Sequence, residues 1–124
     1  MFEFFIIELI KSYNINMQEC FCLFQISHNF CQIYFAKDGK IKIISPVVDQ
    51  GAGVLTVIVE VVGEELQVPA DEIELKQVDS TIVPSDGGVG GSRATRVYGN
   101  ASFEAGTKAR EELFLFAAQA LEVD

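Results

Sequence analysis

Two glycine-bearing segments hold the residues best suited to chemistry in this chain: Asp49-Gln50-Gly51-Ala52-Gly53 and Gly87-Gly88-Val89-Gly90-Gly91-Ser92-Arg93. Each stands between a strand-like run and a helix-like run. There, free backbone N–H groups and the positive end of a helix dipole can cradle an anion. Glycine suits the task because the backbone must come close to the ligand and take positive φ. Ser92 can cap the following helix or donate to an oxygen, and Arg93 and Arg96 are the arginines placed to neutralise a phosphate. The chemistry these segments predict is a phosphorylated ligand held mainly by main chain. The bland alternative is a pair of flexible connections, since neither segment matches G-x(4)-G-K-[ST] or G-x-G-x-x-G.

A second group is Cys20, Cys22, His28 and Cys31, whose donors match the number a tetrahedral zinc site needs. Their C-x-C-x5-H-x2-C spacing departs from the usual zinc arrangements. The expectation is therefore no metal, with reduced, buried cysteines in a compartment that leaves thiols unoxidised, the cytoplasm. No nucleophile and base can be paired, because His28 is the lone imidazole. Asp49, Asp79 and Asp86 read as turn and capping residues. No catalytic residue is assigned.

The elements that position these groups follow from periodicity. Asp38-Gly39 signals a tight turn, and Lys40 to Val48 alternates and then runs apolar, as a half-buried strand does. Val54 to Gln67 has Val54, Leu55, Ile58, Val61, Val62 and Leu66 on one broad helical face, and Pro69 stops it. Glu72 to Val78 alternates again as a second strand. A loop over Ile82 to Ser92 then leads into a long helix that starts at Ala94 or Asn100 and runs to Leu121. Its apolar stripe is Ala101, Ala105, Ala109, Leu113, Phe116, Ala117, Ala120 and Leu121, with Glu104 and Lys108 as an i,i+4 pair. The fold class expected is α+β, a β-α-β-α unit with glycine-rich loops at the starts of two helices.

The chain has 124 residues, the size of one domain, and a net charge of −9. That balance argues against nucleic acid as a partner, since such binding draws on clustered Lys and Arg. Composition breaks near residue 37: the three Cys, the His and seven of the ten Phe come before it, the ten Gly and three Pro after it. Glu3, Glu8 and Glu19 against Lys11 give the first 36 residues −2, so the rest carries −7. Glu3 stands where a secretory signal would have Lys or Arg, and the uncharged run Cys20 to Ala36 is shorter than the roughly 20 apolar residues of a membrane span. Neither export nor a membrane is expected. Within 1–36, Phe2, Phe5, Ile6, Leu9 and Ile10 have helical spacing, whereas Phe21, Leu23 and Phe30, Gln32, Tyr34 alternate as strands do. This apolar segment, without Gly or Pro, is expected to be a misplaced gene start or a truncation scar, with 37–124 as the domain proper.

From Lys37 to Asp124 the chain resembles the molybdopterin-binding part of the molybdenum hydroxylases, the xanthine dehydrogenase, aldehyde oxidase and carbon monoxide dehydrogenase family. The resemblance lies in DQGAGVLT (49–56), GEELQVPADEIEL (63–75) and VDSTIVPSDGGVGGSRATRVYGNA (78–101), in family order. It implies an oxidoreductase whose cofactor is molybdenum-molybdopterin or its cytosine dinucleotide form. It implies that Gln50, Gly51, Gly53 and Thr56, with Gly91, Ser92, Arg93 and Thr95, line the pyranopterin and its phosphate tail, with Ser80 and Thr81 as further contacts. The partners implied are the rest of the large subunit and iron-sulfur and flavin subunits.

Some family features differ here. Glu60 stands where the family often has Gln, which would bring a carboxylate toward an anionic cofactor if it faced one. The glycine-rich motif near molybdenum, the Arg-containing substrate loop and the Gly-x-Gly-Glu segment with its general base have no counterpart, so the chain alone is expected to lack turnover. A cofactor-free α+β binding or assembly module is the competing expectation.

Overall fold

The computed structural model describes residues 22–26, 29–36, 39–79, 81 and 86–121. Cys20, His28 and Ser80 lie outside these, as does the helical spacing over Phe2 to Ile10. Four strands form one mixed sheet in chain order: β1 (Cys22–Ile26), β2 (Asn29–Phe35), β3 (Ile41–Ser45) and β4 (Ile73–Gln77). β1, β2 and β3 pair antiparallel, whereas β3 and β4 pair parallel. The parallel pair needs a crossover, supplied by helix α1 (Val54–Leu66), and helix α2 (Ala94–Leu121) ends the described chain. The expected β-α-β-α order is thus present as β3-α1-β4-α2, with β1 and β2 extending its sheet. The long helix begins at the earlier of its two expected starts.

The β2–β3 turn closes through Ala36 N donating to Lys40 O at 2.8 Å and Gly39 N to Ala36 O at 2.9 Å, with Gly39 at φ 80°. One sheet face is apolar in rows: Phe35, Ile41 and Ile73 are in register, as are Ile33, Ile43 and Leu75. These side chains, with Cys31 beyond them, are buried or partly buried among Val54, Ile58, Val62 and Leu66 of α1 and Tyr98, Ala101, Ala105, Ala109 and Leu113 of α2. In β2 the strand expectation is met: Cys31, Ile33 and Phe35 give the core side, and Gln32 on the other face is buried as well. A one-residue choice of face decides this, because successive strand side chains point to opposite sides.

α1 ends as its sequence requires. Gln67 takes a left-handed φ of 54°, Val68 N donates to Gly63 O at 2.9 Å, and Pro69 follows. A Cβ on Gly63 would lie 2.8 Å from Val68 O, so the glycine permits this closure.

The two helices run parallel. A Cβ on Gly99 would lie 3.8 Å from Val57 Cγ1, and one on Gly106 would lie 2.8 Å from Glu65 Cβ and 3.8 Å from Val62 Cα. Thr107 Oγ1 donates to Glu65 Oε2 at 3.1 Å, and Arg110 Nη1 lies 3.6 Å from the same oxygen. The sequence offset between contacting residues stays nearly constant along the seam, as parallel helices require. Projected back at about 1.5 Å per residue, Val54 falls level with Arg96, so the two helix starts are flush to within about 3 Å.

Gly99 and Gly106 should respond oppositely to alanine. Gly99→Ala meets only an ordinary contact and gains helix propensity, stabilising by up to about 1 kcal/mol. Gly106→Ala forces the helices apart, at a cost of about 1–3 kcal/mol. Urea unfolding of the two variants, followed by circular dichroism, should move the midpoint up for the first and down for the second.

Candidate functional site

Each of the three aspartates read as turn residues accepts the N–H two positions ahead. Gly51 N donates to Asp49 Oδ1 at 2.9 Å, Thr81 N to Asp79 Oδ1 at 2.6 Å, and Gly88 N to Asp86 Oδ1 at 2.7 Å. This Asx arrangement mimics a backbone turn and explains why aspartate opens each segment. Thr81 also donates its hydroxyl to Asp79 Oδ1 at 2.5 Å, and these bonds hold the exposed Asp79 carboxyl below its usual range.

The first glycine turn leads directly into α1. Gly51 and Gly53 have φ of 85° and 70°, and Gly53 occupies the cap position, its carbonyl accepting from Val57 N at 3.1 Å. Gln50 and Thr56 are exposed on either side of it. Nothing lies within 4 Å of a Cβ built on Gly51, Gly53, Gly88, Gly90 or Gly91. These glycines face open space, and four of the five hold a positive φ; none is there to relieve a packing clash.

The second turn leads into α2 in the same way. Gly88, Gly91 and Ser92 have φ of 69°, 78° and 54°. Val97 N donates to Arg93 O at 2.9 Å, so Arg93 holds the cap position and Ser92, one residue earlier, does not cap the helix. Ser92 and Thr95 are exposed at the helix start. Arg93, expected as a phosphate partner, turns back onto the loop: Nη2 donates to Gly87 O at 2.7 Å and Gly88 O at 3.2 Å. Arg93 Nε and Asp86 Oδ2 are buried without a hydrogen-bond partner, each an omission worth about 1–3 kcal/mol.

Because α1 and α2 start level with each other, the structure brings Gln50, Gly51, Gly53 and Thr56 to the same end of the helix layer as Gly91, Ser92, Arg93 and Thr95. Both positive helix ends and both glycine turns therefore share one end of the molecule. Thr81 lies in the segment between β4 and the second turn. Glu60, midway along α1, is exposed and lines a shallow concavity with Gly63, Glu64, Gln67, Val68, Pro69 and Ala70 near the end of the helix. Its carboxylate borders that concavity. Another concavity, lined by Tyr34, Lys42, Ile44, Glu74 and Lys76, also lies away from the turns, on the sheet.

Sequence reasoning missed Tyr98. Its ring is 1 % exposed, and its hydroxyl donates to Asp86 Oδ1 at 2.5 Å. Burial pushes the Tyr98 phenol well above its usual range, the bond to Asp86 and that carboxylate's charge add to the shift, and Arg93 opposes it. The signal in sequence was a tyrosine three residues before the alanine stripe on Ala101, Ala105 and Ala109, at core spacing but with a polar tip. Cys31, the cysteine whose side chain is described, packs against α2 with Ser102 Oγ donating to its sulfur at 4.0 Å. Burial pushes its thiol from 9.0 up to about 12, with the Ser102 bond opposing. Among the described residues no group of three His, Cys, Asp or Glu side chains could hold a metal ion.

Residues 11–124 match the family described as Molybdopterin cofactor-binding domain. The chain is also similar to the 6-hydroxypseudooxynicotine dehydrogenase complex subunit gamma of Paenarthrobacter nicotinovorans. The two are 28 % identical over 89 residues, which covers 72 % of this chain and 11 % of that subunit. The chain thus spans about a ninth of the relative's length.

Two outcomes follow from this geometry. Gly91→Ala should strain a left-handed residue by about 1–2 kcal/mol, whereas Gly90→Ala, at ordinary φ and in open space, should be near neutral; amide exchange across 86–97 distinguishes them. For Cys31, the raised folded value means the unfolded thiol ionises first. The stability it contributes is complete below pH 9.0 and is lost as pH rises toward about 12. Unfolding free energy should fall above pH 9 by no more than about 1.4 kcal/mol per pH unit for this group. Cys31→Ala should flatten that decline without abolishing it, because Tyr98 acts with the same sign.

Proposed function

The chain belongs to the molybdopterin cofactor-binding domain family, and from that premise we propose that it supplies the anion-holding part of a molybdenum hydroxylase-type oxidoreductase. The observation that carries this reading is the convergence of two glycine turns on two flush helix starts. The family cofactor has a phosphate-bearing tail, and phosphate is the group that oriented N–H donors and helix dipoles favour.

The residues present fit such a group. Glycines without Cβ leave the backbone open, and the exposed Ser92 and Thr95 hydroxyls can donate beside it. Gln50 and Thr56 stand at the other turn, and Thr81 borders the segment between. In this reading the main chain of Gly51, Gly53 and Gly91 takes the phosphate tail, Ser92 and Thr95 complete its hydrogen bonds, and Gln50 and Thr56 face the pterin. Ser80 is assigned beside Thr81. When bound, the molybdenum centre supplies hydroxylation chemistry at an electron-poor carbon, and this segment's task is to bind and orient the cofactor.

The Paenarthrobacter nicotinovorans relative is a subunit of a dehydrogenase complex. We assign this chain a similar setting: it works with the remainder of a large subunit and with electron-carrying iron-sulfur and flavin subunits. The cytosine dinucleotide form of the cofactor would set its diphosphate against the same main-chain donors. A cytoplasmic location agrees with a reduced Cys31.

The test is to express the full chain in a host replete with molybdenum cofactor and to measure molybdenum and pterin fluorescence in the purified protein. The reading expects both, in equal amounts, and expects Gly51→Val and Gly91→Val to lose them while the circular dichroism of the helices persists. A folded protein carrying neither would leave the cofactor-free binding module as the better account.

A further inference from the structure

The loop before α2 carries its own fastening. Asp86 Oδ1 accepts from Gly88 N at 2.7 Å and from the Tyr98 hydroxyl at 2.5 Å. Tyr98 is buried in the core, so its hydroxyl is placed by the packing of the whole helix. From the other end of the loop, Arg93 Nη2 donates to the carbonyls of Gly87 and Gly88. The two ties meet on the same glycine pair. Gly88 is held by its N–H from one side and by its carbonyl from the other, at a φ of 69° that a free chain would leave readily.

We propose that Asp86, Arg93 and Tyr98 are positioning residues that shape the Gly87–Ser92 loop before any anion arrives, Arg93 acting through the loop's carbonyls and not as a charge on the ligand. The proposal rests on the anion-holding role given above and specifies how the loop performs it. A planar guanidinium can reach two neighbouring carbonyls, whereas a lysine ammonium is a compact point charge on a flexible stem. The Tyr98 hydroxyl reaches the loop through Asp86, and a carboxylate is the group an anion avoids. Its effect on anion binding must therefore pass through loop shape. Ordering the loop in advance removes an entropic cost that binding would otherwise meet.

The experiment uses the full 124-residue chain with Tyr98→Phe, Arg93→Lys, Asp86→Asn and Asp86→Ala. Amide exchange is read at Gly88 and, as a core reference, at Ile43; inorganic pyrophosphate is titrated calorimetrically at low and moderate salt. Tyr98→Phe and Asp86→Ala should each speed Gly88 exchange and weaken pyrophosphate by about tenfold, the scale of one charge-assisted hydrogen bond, with Ile43 unchanged. Asp86→Asn keeps an oxygen that accepts both bonds but loses the charge, and should fall between wild type and Asp86→Ala. Arg93→Lys keeps the charge and should still lose loop protection and affinity.

Wild-type exchange at Gly88 in Asp86→Ala would overturn the proposal, and so would an Arg93→Lys variant that keeps wild-type affinity. Should Tyr98→Phe unfold, Asp86→Ala tests the same tie from the loop side. If the wild-type chain takes up no pyrophosphate, the anion-holding role fails, while the exchange comparison still decides the fastening.

Discussion

The close approach of α1 and α2 at Gly106 is the constraint on which the rest of the structure depends. With Glu65 Cβ 2.8 Å from the place where a side chain would begin, no other residue fits at this separation. Glu65 then serves the seam a second time, accepting from Thr107 and facing Arg110. The pair is partly buried, where charges are screened less than at the surface, and its geometry fixes the sliding position of one helix on the other. That sliding position makes the two helix starts level. A slip by one turn would move them about 5.4 Å apart and separate the glycine turns. The level of the helix starts is thus set by a contact between the end of α1 and the middle of α2.

The sheet imposes the complementary condition. Because β3 and β4 are parallel neighbours, the chain must return to the same end between them, and α1 is that return. The first glycine turn follows β3 and precedes α1 for this topological reason. β2, from the compositionally distinct start of the chain, pairs along β3 and gives Cys31, Ile33 and Phe35 to the same core that α2 covers. The shift in composition near residue 37 falls in the turn between two paired strands.

Much of this was legible because local chemistry and local geometry coincide. Asp49, Asp79 and Asp86 sit two residues before the amides they accept from, so the turns could be read from spacing alone. The alanine stripe of α2 and the face of α1 follow the helical period, and their burial agrees with it. What sequence could not supply was partnership at a distance. Gly106 reads as a weak point in a helix until Glu65 is seen opposite it. Tyr98 and Ser102 interrupt an apolar stripe with polar tips whose partners, Asp86 and Cys31, lie on other elements. Arg93 matched the resemblance by position, but only the fold shows its guanidinium on Gly87 and Gly88.

The electrostatics make that last point the informative one. A net charge of −9 creates a field that opposes an anionic ligand at long range. Screening limits that field to about 8–10 Å at physiological salt, so at the site itself short-range donors decide. Dipoles at two helix starts and glycine N–H groups act within that distance and carry no net charge. An arginine aimed at the ligand would be the simpler device, yet the guanidinium best placed for it is committed to loop carbonyls. The chain therefore uses Arg93 for geometry, while Arg96 is exposed in the first turn of α2. In the anion-holding role proposed above, recognition depends on how well the backbone is held, and the buried Tyr98 bears on binding through Asp86.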